Sequence, residues 1–281
     1  MIPRLRGNSL AKPMVFSGFL LFVITTCGLR LAVANQIDVE QRVVEQVSRF
    51  EGDDWHVRKD AFYRLLDITM PGGFRGRTEL LASAVDAFLR DQPAQRERVV
   101  TALVALLERE NTISRNAPVG SLSEEFVSYL GDLIGATAAM HDQRAVDALV
   151  GELGSGNMAS KAVAAFGASA VDRVLAVLGP GDIADRIGAT RALAQMLDPR
   201  IVKIDVASRS KIKAGLLRAS KDQHFAVRES AINGLATLPD ADVTARLKEL
   251  AERDPYSQLS DADQSAVYPV RNAASKALAA R

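Results

Sequence analysis

Apolar residues in this chain recur at intervals of three and four, the spacing of helices with one buried face. The pattern starts at Ile37-x-Val39, continues through Val43-Val44-x-x-Val47 and ends near Phe50. Asp53 and Asp54 then offer N-cap oxygens to a helix carrying Arg58, which Pro71-Gly72-Gly73 breaks. Two further helices are predicted at 78–90 and 94–109, parted by Asp91-Gln92-Pro93. The polar stretch from Asn111 to Gly120 predicts a long connection, and Ser121-x-x-Glu124 a capping box for a helix over 122–140. From there helical segments and short polar turns alternate to the end, with a polar loop from Asp254 to Gln264 widening the last unit. No alternating run is long enough for a sheet, so the chain is expected to be all-helical.

Within those helices one motif returns. It reads Val57-Arg58-x-x-Ala61-x-x-Arg64-Leu65, Val227-Arg228-x-x-Ala231-x-x-Gly234-Leu235 and Val270-Arg271-x-x-Ala274-x-x-Ala277-Leu278. A fourth copy, Arg186-x-x-Ala189-x-x-Ala192-Leu193, lacks the leading Val. Arg186 and Arg228 are 42 residues apart, and Arg228 and Arg271 are 43 apart, a period that suits a helix-turn-helix unit. Polar turns follow at Asp198-Pro199-Arg200 and Asp240-Ala241-Asp242, and a third opens at His141-Asp142-Gln143-Arg144. Asp142 and Asp198 are 56 residues apart, or two units of 28, and Ala168-Ser169-Ala170-Val171 at the midpoint imitates a helix start. Ala162-x-x-Ala165-Phe166-Gly167 just before it imitates a helix end, so long and short units are mixed. Offsets 0, 3, 7 and 10 from the arginine share one helical face, and the alanine at offset 3 lets a neighbouring helix approach closely. Stacked pairs of such helices bury one another's apolar faces in a continuous core.

The motif resembles HEAT and HEAT-like repeats, the short units being similar to those first named in phycobilisome lyases. The resemblance covers residues 142–281 and 53–66, and between 71 and 141 it rests on helical periodicity. It implies an α-solenoid of stacked antiparallel helix pairs, a superhelix of the HEAT/armadillo type. It also implies that a turn aspartate pairs with the helix arginine one repeat along. Asp222 and Arg228 stand at the family's spacing of six residues, while Arg58 and Arg271 have Asp54 and Asp263 nearby at other spacings. In such units the second helix lines the concave side, and the Val-Arg motif lies on that helix by resemblance. Offset 5 from the arginine falls roughly 160° from the core-facing set at 100° per residue. The residues there, Tyr63, Arg191, Asn233 and Lys276, are the candidate partner-binding positions.

The first 34 residues stand apart from this pattern. Arg4, Arg6 and Lys12 form a basic start, Met14 to Gly28 is almost wholly apolar, and Ala32-Val33-Ala34 supplies small residues where a signal peptidase reads. The apolar run is 15 residues, shorter than the roughly 20 that span a bilayer as a helix. Export is therefore expected, periplasmic or secreted and by a bacterial route, with cleavage between Ala34 and Asn35 leaving a repeat domain over 35–281. Arg30, inside the stretch before cleavage, keeps an inner-membrane anchor open as the alternative, and Cys27 after Thr26 is a poor lipoprotein site. Loss of 1–34 leaves 31 basic against 34 acidic side chains, a net of −3, which argues against general nucleic-acid binding. Cys27 is the single cysteine, so the mature chain would have no disulfide, and at 247 residues it needs none.

Candidate chemistry is sparse. His56, His141 and His224 lie far apart and none has a second ligand at metal spacing, so no metal site is expected. Pro71-Gly72-Gly73-Phe74-Arg75-Gly76-Arg77 lacks the Gly-Lys ending of a phosphate loop and follows a helix. It reads as a solvated turn, with docking on nucleic acid or an acidic partner as the alternative. The segment 203–221 is basic through Lys203, Arg209, Lys211, Lys213, Arg218 and Lys221, and a solvated helix face is favoured over a polyanion or membrane surface. No nucleophile stands in a catalytic motif and no cofactor is implied. The expected function is an exported, non-catalytic scaffold for a protein partner. An enzyme or enzyme subunit of the lyase-like type is one alternative, and a membrane-tethered structural protein, should the N-terminal segment be retained, is another.

Overall fold

The computed structural model describes residues 38–69, 92–118, 120–179, 181–260 and 265–281. The signal-like segment, the 78–90 helix, the Pro71–Arg77 loop and Asp263 lie outside the described residues. The described helices run in pairs. They are α1 (38–48), α2 (Trp55–Thr69), α3 (Pro93–Asn116), α4 (Glu124–Ala139), α5 (Ala145–Gly151) and α6 (Asn157–Ala164). Then come α7 (Ala168–Val177), α8 (Ile183–Met196), α9 (Val206–Ala219), α10 (Phe225–Leu235), α11 (Ala241–Arg253) and α12 (Pro269–Ala279).

Odd and even helices form two layers. In the even layer α4 packs on α6, α6 on α8, α8 on α10 and α10 on α12. Trp55 of α2 meets Phe126 and Tyr129 of α4 at ring distances of 5.2 and 6.3 Å, which extends that layer to α2. In the odd layer α3 packs on α5, α5 on α7 and α7 on α9. One apolar cluster runs between the layers from Val43 to Ala277. The chain is an all-α solenoid.

The motif accounts for this stacking. Ala61, Ala189, Ala231 and Ala274 are each completely buried, as offset 3 requires. Leu65, Leu193 and Leu235 at offset 7 are buried as well, whereas Leu278 of α12 is half-buried. The short units are visible in α5 and α6, of 7 and 8 residues, and α7 begins at the predicted Ala168 behind Gly167. Compression in this region depends on glycine. A Cβ on Gly188 of α8 would lie 1.9 Å from the Leu153 carbonyl oxygen, so no other residue lets the turn and helix touch this closely.

Three local expectations are corrected. The predicted connection from Asn111 begins later, because α3 continues to Asn116. Its polar last turn docks on the next unit: Asn111 Nδ2 donates to the Ala148 carbonyl (2.9 Å) and Arg115 Nε to the Gly151 carbonyl (3.0 Å). The cap of α4 is Ser123, whose Oγ accepts from the Phe126 N–H (3.1 Å), while the hydroxyl of Ser121 turns back to the Pro118 carbonyl. The loop after α11 holds a small antiparallel ladder, β1 (Gln258–Leu259) with β2 (Ala266–Val267), too short for the alternation that marks a sheet in sequence.

Candidate partner-binding face

The arginines of the motif do two things at once. In Arg58, Arg186 and Arg228 the guanidinium caps a carbonyl of the turn before its own helix and reaches an acid in the following unit. Arg228 Nη1 donates to the Asp222 and Gln223 carbonyls (3.0 and 2.9 Å), and Nε and Nη2 pair with both oxygens of Asp254 (2.7 and 2.8 Å). Arg186 pairs with Asp222 (2.9 Å) and also donates to the Gly181 carbonyl. Arg58 Nη1 donates to the Gly52 and Asp53 carbonyls (2.8 and 2.7 Å), and its other nitrogens form a fork with Glu110 (2.7 and 2.9 Å). Arg271 donates instead to the Asp254 carbonyl (2.6 Å) and lies 4.4 Å over the Tyr268 ring, because the widened loop replaces its turn.

The ladder links neighbouring units, as the resemblance implies, but each acid pairs with the arginine of the unit before it and not with one further along. Asp222 serves Arg186 of the preceding unit through its carboxylate and Arg228 through its carbonyl. The partner of Arg58 is Glu110 of α3, whereas Asp54 accepts from the His56 N–H as a helix cap. Three residues into α4 and α6, where arginine would stand, are Val127 and Ser160. Val127 is exposed, and Ser160 Oγ donates to the Gly188 carbonyl (3.0 Å). Across that gap Arg115 of α3 supplies a substitute rung, pairing with Asp185 of α8 (2.9 Å).

Around Arg58 the site is polar and closed. Arg58 and Glu110 are both fully buried, and the Tyr129 hydroxyl donates to Glu110 Oε1 (3.1 Å). Burial and the adjacent Glu110 carboxylate raise the Tyr129 hydroxyl well above its usual range, so it stays a donor. Such an enclosed, mutually satisfied set fixes the packing of three helices and presents no group to a substrate.

On the opposite side of the even helices the four candidate positions separate. Arg191, Asn233 and Lys276 are exposed, on α8, α10 and α12, and among the described residues their side chains make no hydrogen bond or ion pair. Tyr63 departs from the expected exposure. It is half-buried, its hydroxyl donates to Asp132 Oδ2 of α4 (2.8 Å), and its ring lies 5.3 Å from Phe62. Burial raises both the Tyr63 hydroxyl and the Asp132 carboxyl. The Tyr63 hydroxyl finds a carboxylate on the neighbouring helix, whereas Arg191, Asn233 and Lys276 stand exposed without such a partner among the described residues. Lys59 and Glu125 form a second tie between the same two helices.

Two of the six cations in the basic segment 203–221 are neutralised across the odd layer. Lys211 pairs with Asp172 (2.8 Å) and Lys213 with Asp240 and Asp242 (2.8 and 3.2 Å), while Ile212, Leu216 and Ala219 are buried beneath them. The histidines serve local structure: His56 stacks on Trp55 and His224 accepts from the Ala226 N–H at the start of α10. Among the described residues no three His, Cys, Asp or Glu side chains converge on a metal position, and no helix is long and apolar enough to cross a membrane.

No protein-family model matches the sequence. No curated protein matches it either. Two solved structures are similar over most of their length. One is an engineered protein, 17% identical, with 85% of this chain and 97% of that chain covered and a TM-score of 0.40. The other is a computationally designed armadillo repeat protein for modular peptide recognition, 15% identical, with 84% and 98% covered and a TM-score of 0.38.

Proposed function

We propose that this chain is an exported, non-catalytic repeat scaffold that binds a protein partner across the exposed side of its even helices. The observation that carries this reading is the set Arg191, Asn233 and Lys276. In a chain whose helix cations are largely paired, three polar side chains at one repeat register stand unengaged on three successive even helices. Such side chains can pair with a partner without first breaking an internal bond, and a rigid stack presents them with little ordering cost. Their spacing is set by helix packing and not by loops, which suits an extended peptide or a flat partner surface. Export rests on the basic, apolar and small-residue order of 1–34.

Affinity capture from the exported fraction, with crosslinking and mass spectrometry, tests the reading. The expected result is one stoichiometric protein partner, lost when Arg191, Asn233 and Lys276 are changed together to Ala while the melting temperature holds. Turnover of a small molecule with no partner recovered would favour the enzyme alternative instead.

A further inference from the structure

A groove of 570 Å³ lies along the turn edge of the solenoid, between the turn ahead of α8 and the turn ahead of α10. Its walls include Arg186, Arg218, Lys221 and Asp222, and Leu178 and Ala219 give it an apolar floor. The one carboxylate among these is engaged, since Asp222 pairs with Arg186 (2.9 Å). Arg218 directs its guanidinium at the Leu175 carbonyl (2.9 Å), which satisfies a hydrogen bond and leaves its charge uncompensated. Lys221 is exposed, and the acid it influences, Glu249, is already paired with Arg246 (2.7 Å). The wall therefore carries two net positive charges over an apolar base. These are the two cations of the 203–221 segment that face a cavity and remain after Lys211 and Lys213 are neutralised.

We propose that this groove binds an acidic, extended segment of a partner polypeptide. Two carboxylates of the segment pair with Arg218 and Lys221 while an apolar side chain between them rests on Leu178 and Ala219. The mixed lining selects a peptide over a nucleic acid, which needs a longer run of cations and gains little from an apolar floor. The inference builds on the scaffold reading by naming the chemistry of one partner segment, at a position separate from Arg191, Asn233 and Lys276.

The test titrates the full chain with a fluorescein-labelled Glu-Glu-Leu-Glu-Glu peptide and reads anisotropy. Binding is expected, and the Arg218→Gln/Lys221→Gln pair should weaken it about tenfold. The Lys203→Gln/Arg209→Gln pair, which removes the same charge outside the groove, should leave it within about twofold. Arg218→Lys keeps the charge and should keep binding, which guards against a fold defect in the glutamine variant. No binding by the parent chain, equal loss from both double variants, or displacement by inorganic phosphate or oligothymidylate at the peptide's own concentration would each overturn the proposal. Partner capture that survives Arg218→Gln/Lys221→Gln but fails in the Arg191, Asn233 and Lys276 variant would sink the groove while leaving the scaffold intact.

Discussion

Arg58 and Glu110, 52 residues apart in sequence, face one another as a fully buried fork of two hydrogen bonds, at 2.7 and 2.9 Å. The pair ties α2 to α3, and through the Tyr129 hydroxyl it reaches α4. Removing one partner strands the other charge in the core. Glu110→Ala should therefore destabilise the fold by about 3–5 kcal/mol. Glu110→Gln, which keeps the shape and an acceptor, should cost less. Chemical denaturation of both variants checks the order, and equal losses would mean that shape and not charge is what Glu110 provides.

Ala231 sits at the α10 contact with no exposed surface. Ala231→Leu should overpack the stack by roughly 1–3 kcal/mol. The exposed Asn233, two residues on, should accept Leu with a change within about 0.5 kcal/mol. A thermal melt of the two variants decides it, and an unchanged Ala231→Leu would show that the helix register is wrong.

Glu152 lies in the tight turn between α5 and α6, 2% exposed, and burial pushes its carboxyl up to about 7 from 4.5. Ser155 and Arg115 oppose that rise and Asp185 adds to it. The folded chain thus holds this proton more tightly than the unfolded one. Its contribution is complete below pH 4.5, is lost as pH climbs to about 7, and is level above that. The slope should amount to at most about 3 kcal/mol and vanish in Glu152→Gln. Denaturant midpoints at pH 5, 6 and 8 (approximate values chosen to span that window) provide the comparison, and an identical slope in the variant would place the titration elsewhere.

Tyr63 and Arg191 share a repeat register but should behave differently. Tyr63→Phe loses the hydrogen bond to Asp132 and should cost about 1 kcal/mol, because the half-buried carboxyl keeps no tyrosine donor. Arg191→Ala touches no described partner and should leave the melting temperature in place while weakening partner capture. A melt and a capture assay on each variant separate the two roles. Weakened capture by Tyr63→Phe at full stability would return Tyr63 to the binding face.

How far the sequence reaches follows from which contacts have fixed spacing. The buried alanines were legible because offset 3 always meets the neighbouring helix, and the arginines because offset 0 always lies over the preceding turn. Their acids were not, since Glu110, Asp222 and Asp254 stand 52, 36 and 26 residues beyond Arg58, Arg186 and Arg228. The end of α3 escapes the sequence pattern for a related reason. Asn111 and Arg115 look like loop residues, yet their polar atoms satisfy carbonyls of the next unit, which local composition does not reveal. At Tyr63 the helical angle holds, but an acceptor within reach on α4, Asp132, draws the hydroxyl in. Among the candidate positions, the angle alone was sufficient where the side chain had no neighbour within reach.

The break in the arginine ladder has a mechanical consequence. On either side of α4 and α6 the rungs are carried by the even helices themselves: Arg58 bridges α2 to α3, and Arg186 and Arg228 link successive turns from α8 onward. Across the gap, among the described residues, the arginine–carboxylate tie is made by Arg115, a half-exposed side chain reaching over from the other layer. Water and salt weaken such a tie far more than a buried fork. Pulled from its ends, the molecule should yield first at this seam, parting into two stiff segments before either unravels.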